Sequence, residues 1–237
     1  MELSVVIPLY NEQENVAPLL KEIHAALQGV DYEIVCVDDG SSDETLLRLR
    51  NLRGSSQRVR IVRHLQKSGQ STAVRTGALH AHGRWIATLD GDGQNDPADI
   101  PRLFTRIVDS PASTPICVCG WRRARRDSVL KRLSSRIANS VRGSLLCDLT
   151  PDTGCGLKVF SREAFLRLPY FDHMHRFLPA LFLREGFMVE SVEVNHRPRL
   201  RGRSKYGVHN RLWAGIIDLL GVYWLIRRSR LPEVTEE

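Results

Sequence analysis

The sequence holds no cysteine pair at disulfide-framework or metal-binding spacing. Cys36, Cys117, Cys119, Cys147 and Cys155 make an odd set of five, which reads as reduced, mostly buried thiols of a cytoplasmic protein rather than a stapled secreted scaffold. Cys117 and Cys119 alternate within an apolar run, so strand packing accounts for their spacing. None of the eight histidines stands at helical metal-ligand spacing backed by carboxylates, and none is assigned a ligand role. No apolar stretch reaches the roughly 20 residues that a membrane-spanning helix needs; Leu212 to Ile226 falls short and is broken by Asp218. Met1-Glu2-Leu3-Ser4 leads straight into a strand-like run without a basic flank or cleavage site, so the chain is expected on the cytoplasmic side. Internal repeats and low-complexity tracts are missing too. The 237 residues therefore read as one large domain, at most with an appendage.

What is present in excess is positive charge. A formal net charge of +7 suits nucleic acid, anionic lipid surfaces or phosphorylated substrates, and does not choose among them. The pattern along the chain is more selective. Leu3 to Pro8 is a β-branched run stopped by proline, followed by a loop and a helix through about residue 28. Tyr32 to Val37 is a second strand, with a helix over 44–53 capped by Ser42 or Asp43. Short strands at 60–63 and 85–89 flank a helix over 69–82. Alternating strands and helices of this length predict an α/β fold with a mostly parallel sheet and helices on both faces. Ligands in such sheets bind at the carboxyl ends of the strands.

The polar clusters fall at those ends. Trp85 to Leu89 delivers Asp90 and Asp92 onto a turn lined by Gly91 and Gly93. Two carboxylates and the Gln94 amide facing one point form a hard-ligand set for Mg2+ or Mn2+ that leaves positions for substrate phosphates. The plainer alternative is an ordinary Asp-Gly turn. Asp38-Asp39-Gly40-Ser41 follows the second strand and brings a second acidic pair to the same edge. Such pairs repel unless a cation or hydrogen-bond donors compensate. Ribose hydroxyls and a base N–H suit Asp39, metal-bridged phosphates suit Asp90, Asp92 and Gln94, and helix capping is the structural alternative for Asp38 or Ser41.

Five segments in order, Val-Val-Ile-Pro-Leu-Tyr-Asn-Glu (5–12), Val-Asp-Asp-Gly-Ser-Ser-Asp (37–43), Asp-Gly-Asp-Gly-Gln (90–94), Asp-Thr-Gly-Cys-Gly-Leu-Lys-Val-Phe (152–160) and Gly-Arg-Ser-Lys-Tyr-Gly (202–207), resemble the family-two glycosyltransferases of the GT-A fold. Within them the chain is most similar to the polyprenyl-phosphate sugar synthases, of which dolichyl-phosphate mannose synthase is the best known. The resemblance implies that Pro8, Tyr10, Glu12 and Asp39 hold the nucleoside, with Asp90, Asp92 and Gln94 around metal and diphosphate. It further implies that Arg122 contacts a phosphate and that Arg199, Ser204 and Lys205 lie on a loop closing over the donor. One departure is Cys155, where the family carries serine; its size survives and its hydroxyl does not, so Cys155 is read as shape rather than chemistry.

The basic run from Arg122 to Arg142 lacks aromatic residues for base stacking, and Leu130, Leu133, Ile137 and Val141 trace a helical apolar stripe. That pattern suits an anionic membrane surface over nucleic acid, and by resemblance Lys131, Arg132 and Ser135 are the acceptor-phosphate candidates. A last helix over 212–228, with Trp213, Tyr223 and Trp224 and arginines at both ends, fits a helix lying in the membrane interface; core packing or a homodimer contact competes. The expected division is a catalytic domain over 1–210 and an interfacial helix with a polar tail over 211–237. The expected activity is inverting transfer of a hexosyl group from a nucleotide sugar, GDP-mannose or a UDP-sugar, to a polyprenyl phosphate at the cytoplasmic face. Asp152 is available to orient the acceptor. Transfer to a saccharide or protein hydroxyl, and a non-enzymatic nucleotide- or nucleic-acid-binding module, are the alternatives.

Overall fold

The computed structural model describes residues 1–111, 116–123, 141–199, 209–229 and 235. The expected βα alternation is realised as β1 (Leu3–Leu9), α1 (Val16–Ala26), β2 (Tyr32–Asp38), α2 (Thr45–Ser55), β3 (Val59–Arg63), α3 (Gln70–His80) and β4 (Trp85–Thr88). A 3-10 turn at Pro97–Asp99 leads into α4 (Ile100–Val108), which is followed by β5 (Ile116–Trp121). The remaining elements are β6 (Lys158–Ser161), α5 (Arg162–Arg167), α6 (Leu178–Arg184), β7 (Met188–Glu193) and α7 (His209–Arg228). The seven strands form one sheet in the order β3-β2-β1-β4-β6-β5-β7. Every pairing is parallel except those of β6, which runs antiparallel to both β4 and β5.

Strand periodicity divides the core into two layers. Val5 and Ile7 of β1, Ile34 and Cys36 of β2 and Val118 of β5 pack with the apolar faces of α1 and α4. Their sequence neighbours Val6, Val35, Val37, Cys117 and Cys119 pack on the opposite side with α3, α5 and α6. That alternation is why the centres of β1 and β2 are unbroken apolar runs, Val5 to Ile7 and Ile34 to Val37: both faces are dry. The Cys117 and Cys119 thiols lie 3.8 Å apart inside this second layer, as strand packing predicts, and only Cys147 of the five is exposed.

At the start of α2, Asp43 rather than Ser42 makes the local bond, accepting from the Thr45 N–H at 2.9 Å. Ser42 is committed to Asn11, whose Oδ1 accepts the Ser42 N–H at 2.8 Å. The reversal of β6 carries the larger consequence. An antiparallel strand begins where its parallel neighbours end, so residues 152–157 stand on the same edge as Asp90 and Asp92.

The helix α7 packs Val222 into the second layer together with Leu219, Tyr223 and Ile226, while Ile216, Ile217, Leu220 and Trp224 face outward. Among the described residues no helix is long and apolar enough to cross a membrane. Two arginines of the expected basic surface turn inward. Arg142 is 8% exposed; its Nε lies 3.2 Å from Asp148 and its guanidinium donates to the Thr150 carbonyl at 2.6 Å and to Thr153 Oγ1. Arg122 is held by Asp152. A buried guanidinium needs such partners, so these two arginines brace the 148–153 loop rather than coat a surface.

Candidate functional site

The carboxyl ends of β1, β2 and β4 border a cleft of about 390 Å³. Pro8, Tyr10 and Glu12 line it from the end of β1, Asp39 from β2, and Asp90, Asp92 and Gln94 from the turn after β4, together with Arg122 and Arg199. All the site residues expected from sequence that fall among the described residues therefore meet in one cleft or on its wall; Asp152 stands behind Arg122. Lys131, Arg132, Ser135, Ser204 and Lys205 lie outside the described residues.

Asp90 is half-buried and accepts a hydrogen bond from the Gln70 amide at 2.8 Å. Burial, and then the negative charge of Asp92, push its carboxyl up to about 6 against the opposing pull of Lys158, Arg122 and the Gln70 bond. Asp92 accepts the Gln94 N–H at 3.1 Å through Oδ1 and pairs through Oδ2 with Arg199. The Gln94 amide NH2 reaches the Arg197 carbonyl at 3.4 Å, which leaves the amide oxygen as its ligand atom. Asn95 and His196 form an isolated antiparallel bridge, so the strap carrying Arg197 and Arg199 is stitched across the aspartate turn. Repelling carboxylates plus an amide oxygen are a donor set that a hard divalent cation fits. No group of three or more histidine, cysteine or acidic side chains is arranged to hold a metal ion by itself among the described residues. A cation here would therefore keep positions for phosphate oxygens.

Gly156 brings the β6 turn against this pair. A Cβ there would stand 2.2 Å from Asp90 Oδ2 and 2.3 Å from its Cγ, so the Asp90 carboxylate rests on bare backbone. Cys155 is buried, with its Sγ 3.7 Å from the Asn95 amide, and burial pushes the thiol up; it packs and stays protonated, as a shape residue should.

The second acidic pair is used differently. Asp38 is fully buried and closes its own turn, accepting from the Ser41 N–H at 3.1 Å, with Arg63 at 3.5 Å. Neither Asp38 nor Ser41 caps α2, whose N-terminal position is Glu44. Asp39 instead gathers the 64–69 loop, accepting from His64 Nδ1 at 2.7 Å, the Ser68 N–H at 2.8 Å and the Gly69 N–H at 2.9 Å. That loop approaches because Gly40, at φ +70°, has no side chain: a Cβ would stand 2.8 Å from the Gln66 carbonyl carbon. Lys67 then lies over the Tyr10 ring at 4.2 Å, closing the side of the cleft. Glu12 accepts from the Asn15 amide at 2.7 Å.

Arg122 and Asp152 form a fork, Nε to Oδ2 at 2.7 Å and Nη2 to Oδ1 at 2.9 Å. A second cavity of about 440 Å³ adjoins the first across Asp90 and Gln70, and Lys158, His175 and Arg176 complete its polar wall. Sequence reading passed over Gln70 and Lys158. Gln70 opens a helix right after a glycine, at the ligand edge, which is a usable signal. Lys158 sits in an apolar run, where a buried ammonium must find acceptors; it finds the carbonyls of Thr153, at 3.1 Å, and Cys155. His175, left without a ligand role from sequence, pairs with Ser71 Oγ at 2.7 Å, and burial pushes it down to about 3.

Residues 4–168 match the sequence model of Glycosyl transferase family 2. Dodecaprenyl-phosphate galacturonate synthase of Rhizobium johnstonii is 35% identical over 98% of this chain and 69% of its own length. Undecaprenyl-phosphate 4-deoxy-4-formamido-L-arabinose transferase of Edwardsiella ictaluri is 35% identical over 87% of this chain and 63% of its own. This chain thus spans about two thirds of the length of these curated relatives. Among solved structures, glucosyl-3-phosphoglycerate synthase of Mycobacterium tuberculosis, in complex with Mn2+, uridine diphosphate and phosphoglyceric acid, superposes with a TM-score of 0.68 at 23% identity. That match covers 98% of this chain and 80% of the other.

Proposed function

The chain belongs to glycosyl transferase family 2, and we propose that it transfers a hexosyl group from a nucleotide sugar to a polyprenyl phosphate, with inversion at the anomeric carbon. The observation that carries this reading is the convergence of Asp39, Asp90, Asp92 and Arg199 on one cleft. An acidic edge with a guanidinium held against one of its carboxylates accommodates a nucleoside at one end and a departing diphosphate at the other. The names of both curated relatives specify a polyprenyl-phosphate acceptor, which supports the same acceptor class here.

In the reaction an acceptor phosphate oxygen attacks the anomeric carbon and the carbon–oxygen bond to the diphosphate breaks, with the electron pair leaving on the diphosphate. A divalent cation held by Asp90, Asp92 and the Gln94 amide oxygen would offset charge on that leaving group. Arg199, anchored through Asp92, adds a fixed positive charge on the same side. The acceptor is already ionised near neutral pH, so no strong general base is required, and positioning carries more of the rate. Asp152 fits this economy: both its oxygens are engaged by Arg122, so it aims the guanidinium into the cleft. The outward apolar face of α7, ending at Arg227 and Arg228, supports peripheral attachment to the cytoplasmic face of a membrane.

Arg199→Ala should lower kcat by more than about tenfold; unchanged steady-state kinetics would remove Arg199 from the site. The raised Asp90 carboxyl gives a pH dependence of definite sign. Protonation competes with the cation, so apparent metal affinity should fall by about tenfold per pH unit below about 6. A titration that finds the same affinity at pH 5 and pH 7 would contradict that competition. The reaction itself is tested by incubating purified protein with a polyprenyl phosphate, pooled GDP- and UDP-sugars and Mn2+, with a chelator control, and examining the lipid extract by mass spectrometry. A chelator-sensitive glycosyl phospholipid is expected, and its mass identifies the sugar. Transfer to a water-soluble acceptor instead would overturn the lipid-phosphate reading.

A further inference from the structure

In a neutral imidazole one ring nitrogen carries the hydrogen and donates, while the other accepts. For His175 the surroundings decide which is which. Ser71 Oγ accepts the His175 backbone N–H at 3.2 Å and stands 2.7 Å from Nδ1. Ser71 is buried, and among the described residues its hydroxyl hydrogen has no acceptor other than Nδ1. A buried donor left unused costs free energy, so the hydroxyl donates to Nδ1 and the ring hydrogen sits on Nε2. Burial, and then the positive charges of Arg176, Lys158 and His173, push the ring down to about 3, so it stays neutral.

Nε2 is the open edge of that ring. It makes no hydrogen bond among the described residues and is not sealed in as a buried unpaired atom, and the ring lines the cavity of about 440 Å³. Gln70 presents the converse. Its amide NH2 is drawn to Asp90 Oδ1 at 2.8 Å, which turns the amide oxygen away from that carboxylate and leaves it as an acceptor on the wall of the same cavity.

Pro8, Gln70 and Asp90 border both this cavity and the nucleotide cleft, so a group bonded to a diphosphate at the aspartate turn enters here. Val74, Leu89 and Leu178 supply an apolar wall. An ionised phosphate accepts only and would set an anion against the Gln70 oxygen. A hydroxyl both donates and accepts, and a ring with C–H faces and several hydroxyls matches a wall that offers apolar surface, one neutral donor and one neutral acceptor.

We infer that His175 is a specificity-determining residue for the transferred sugar: its Nε2–H donates to a sugar hydroxyl oxygen, the Gln70 amide oxygen accepts from a hydroxyl of the same ring, and Ser71 holds the imidazole in the one tautomer that can do so. The inference rests on the glycosyl-transfer reading and adds to it a neutral donor that takes no part in proton transfer.

The test is calorimetric titration of the full chain, in the presence of Mn2+, with UDP-glucose, UDP-glucuronate and GDP-mannose, each set against its bare nucleoside diphosphate. In the parent at least one nucleotide sugar should bind more tightly than its nucleotide. His175→Asn keeps an oxygen where Nδ1 stood, so the Ser71 hydroxyl retains its acceptor and only the cavity donor is lost. It should weaken the nucleotide sugar by about three- to tenfold and leave the bare nucleotide unchanged. His175→Gln returns an amide N–H near the Nε2 position and should recover most of that loss, whereas a purely structural role would make Asn the milder change. Nitrogen-15 correlation spectra of the parent should show one ring held as the neutral Nε2–H form down to pH 5 and missing from His175→Asn. Parent-like sugar binding in His175→Asn, or a ring hydrogen on Nδ1, would overturn the inference. A parent that binds nucleotides but gains nothing from any of the three sugars would overturn it while leaving glycosyl transfer standing. Binding of no nucleotide and no nucleotide sugar would overturn the glycosyl-transfer reading and this inference with it.

Discussion

Asp92→Ala should abolish turnover, by at least about a thousandfold, while the chain stays folded. The substitution removes one of two carboxylates on the turn after β4 and strips Arg199 of its partner, so both the cation site and the fixed positive charge on the diphosphate side are lost together. Folding should survive because Asp92 is half-exposed and belongs to neither core layer. Stability above pH 6 should even rise slightly. Asp92 is one cause of the raised Asp90 carboxyl, and a carboxyl whose folded value is raised contributes stability that is complete below its unfolded value and lost as pH rises through about 6. Relieving the repulsion reduces that loss. Product formation, a metal titration and a thermal melt at pH 7.5 on the same preparation decide the matter. An active Asp92→Ala enzyme would end the metal role assigned to this turn.

Gly156→Ala should cost about a hundredfold in kcat. The added methyl would overlap the Asp90 carboxyl, 2.2 Å from Oδ2, and Asp90 cannot yield without breaking its 2.8 Å bond from Gln70. A carboxylate moved by even an ångström no longer shares a ligand sphere with Asp92. Gly154→Ala is the matched control, since a Cβ there finds its nearest neighbour, Arg122 Nη2, at an ordinary 3.4 Å, and it should keep most of the activity. Equal kinetics for the two variants would show that Gly156 does not set the position of Asp90.

The parts legible in the sequence are those that local chemistry dictates. β1 and β2 announce themselves as β-branched runs because both their faces are buried, and the helix between them follows from the 3.6-residue recurrence of Val16, Leu19, Leu20 and Ile23. From those elements the parallel order at β1, β2 and β4 follows, and with it the clustering of Asp39, Asp90 and Asp92 at one edge. The end of the last helix was legible too, though α7 starts earlier than expected, at His209.

Other features depend on contacts between residues far apart in sequence. Nothing in Lys158 to Ser161 announces that the strand runs against its neighbours, since an antiparallel strand buried between two others carries the same apolar pattern as a parallel one. Yet that reversal puts Gly156 beneath Asp90 and Lys158 beside it. Arg122 and Arg142 looked like members of a basic surface because charge can be counted from sequence, whereas their burial against Asp152 and Asp148 is a property of the folded loop. Likewise Asp38 and Asp39 are chemically identical neighbours, but a strand points alternate residues to opposite sides: one closes a turn and the other collects His64, Ser68 and Gly69. The sequence by itself determined which carboxylates reach the ligand edge, because strand ends and glycine turns are local. Only the tertiary structure decided how many acceptor positions each carboxylate keeps, because those are filled by donors brought from other parts of the chain.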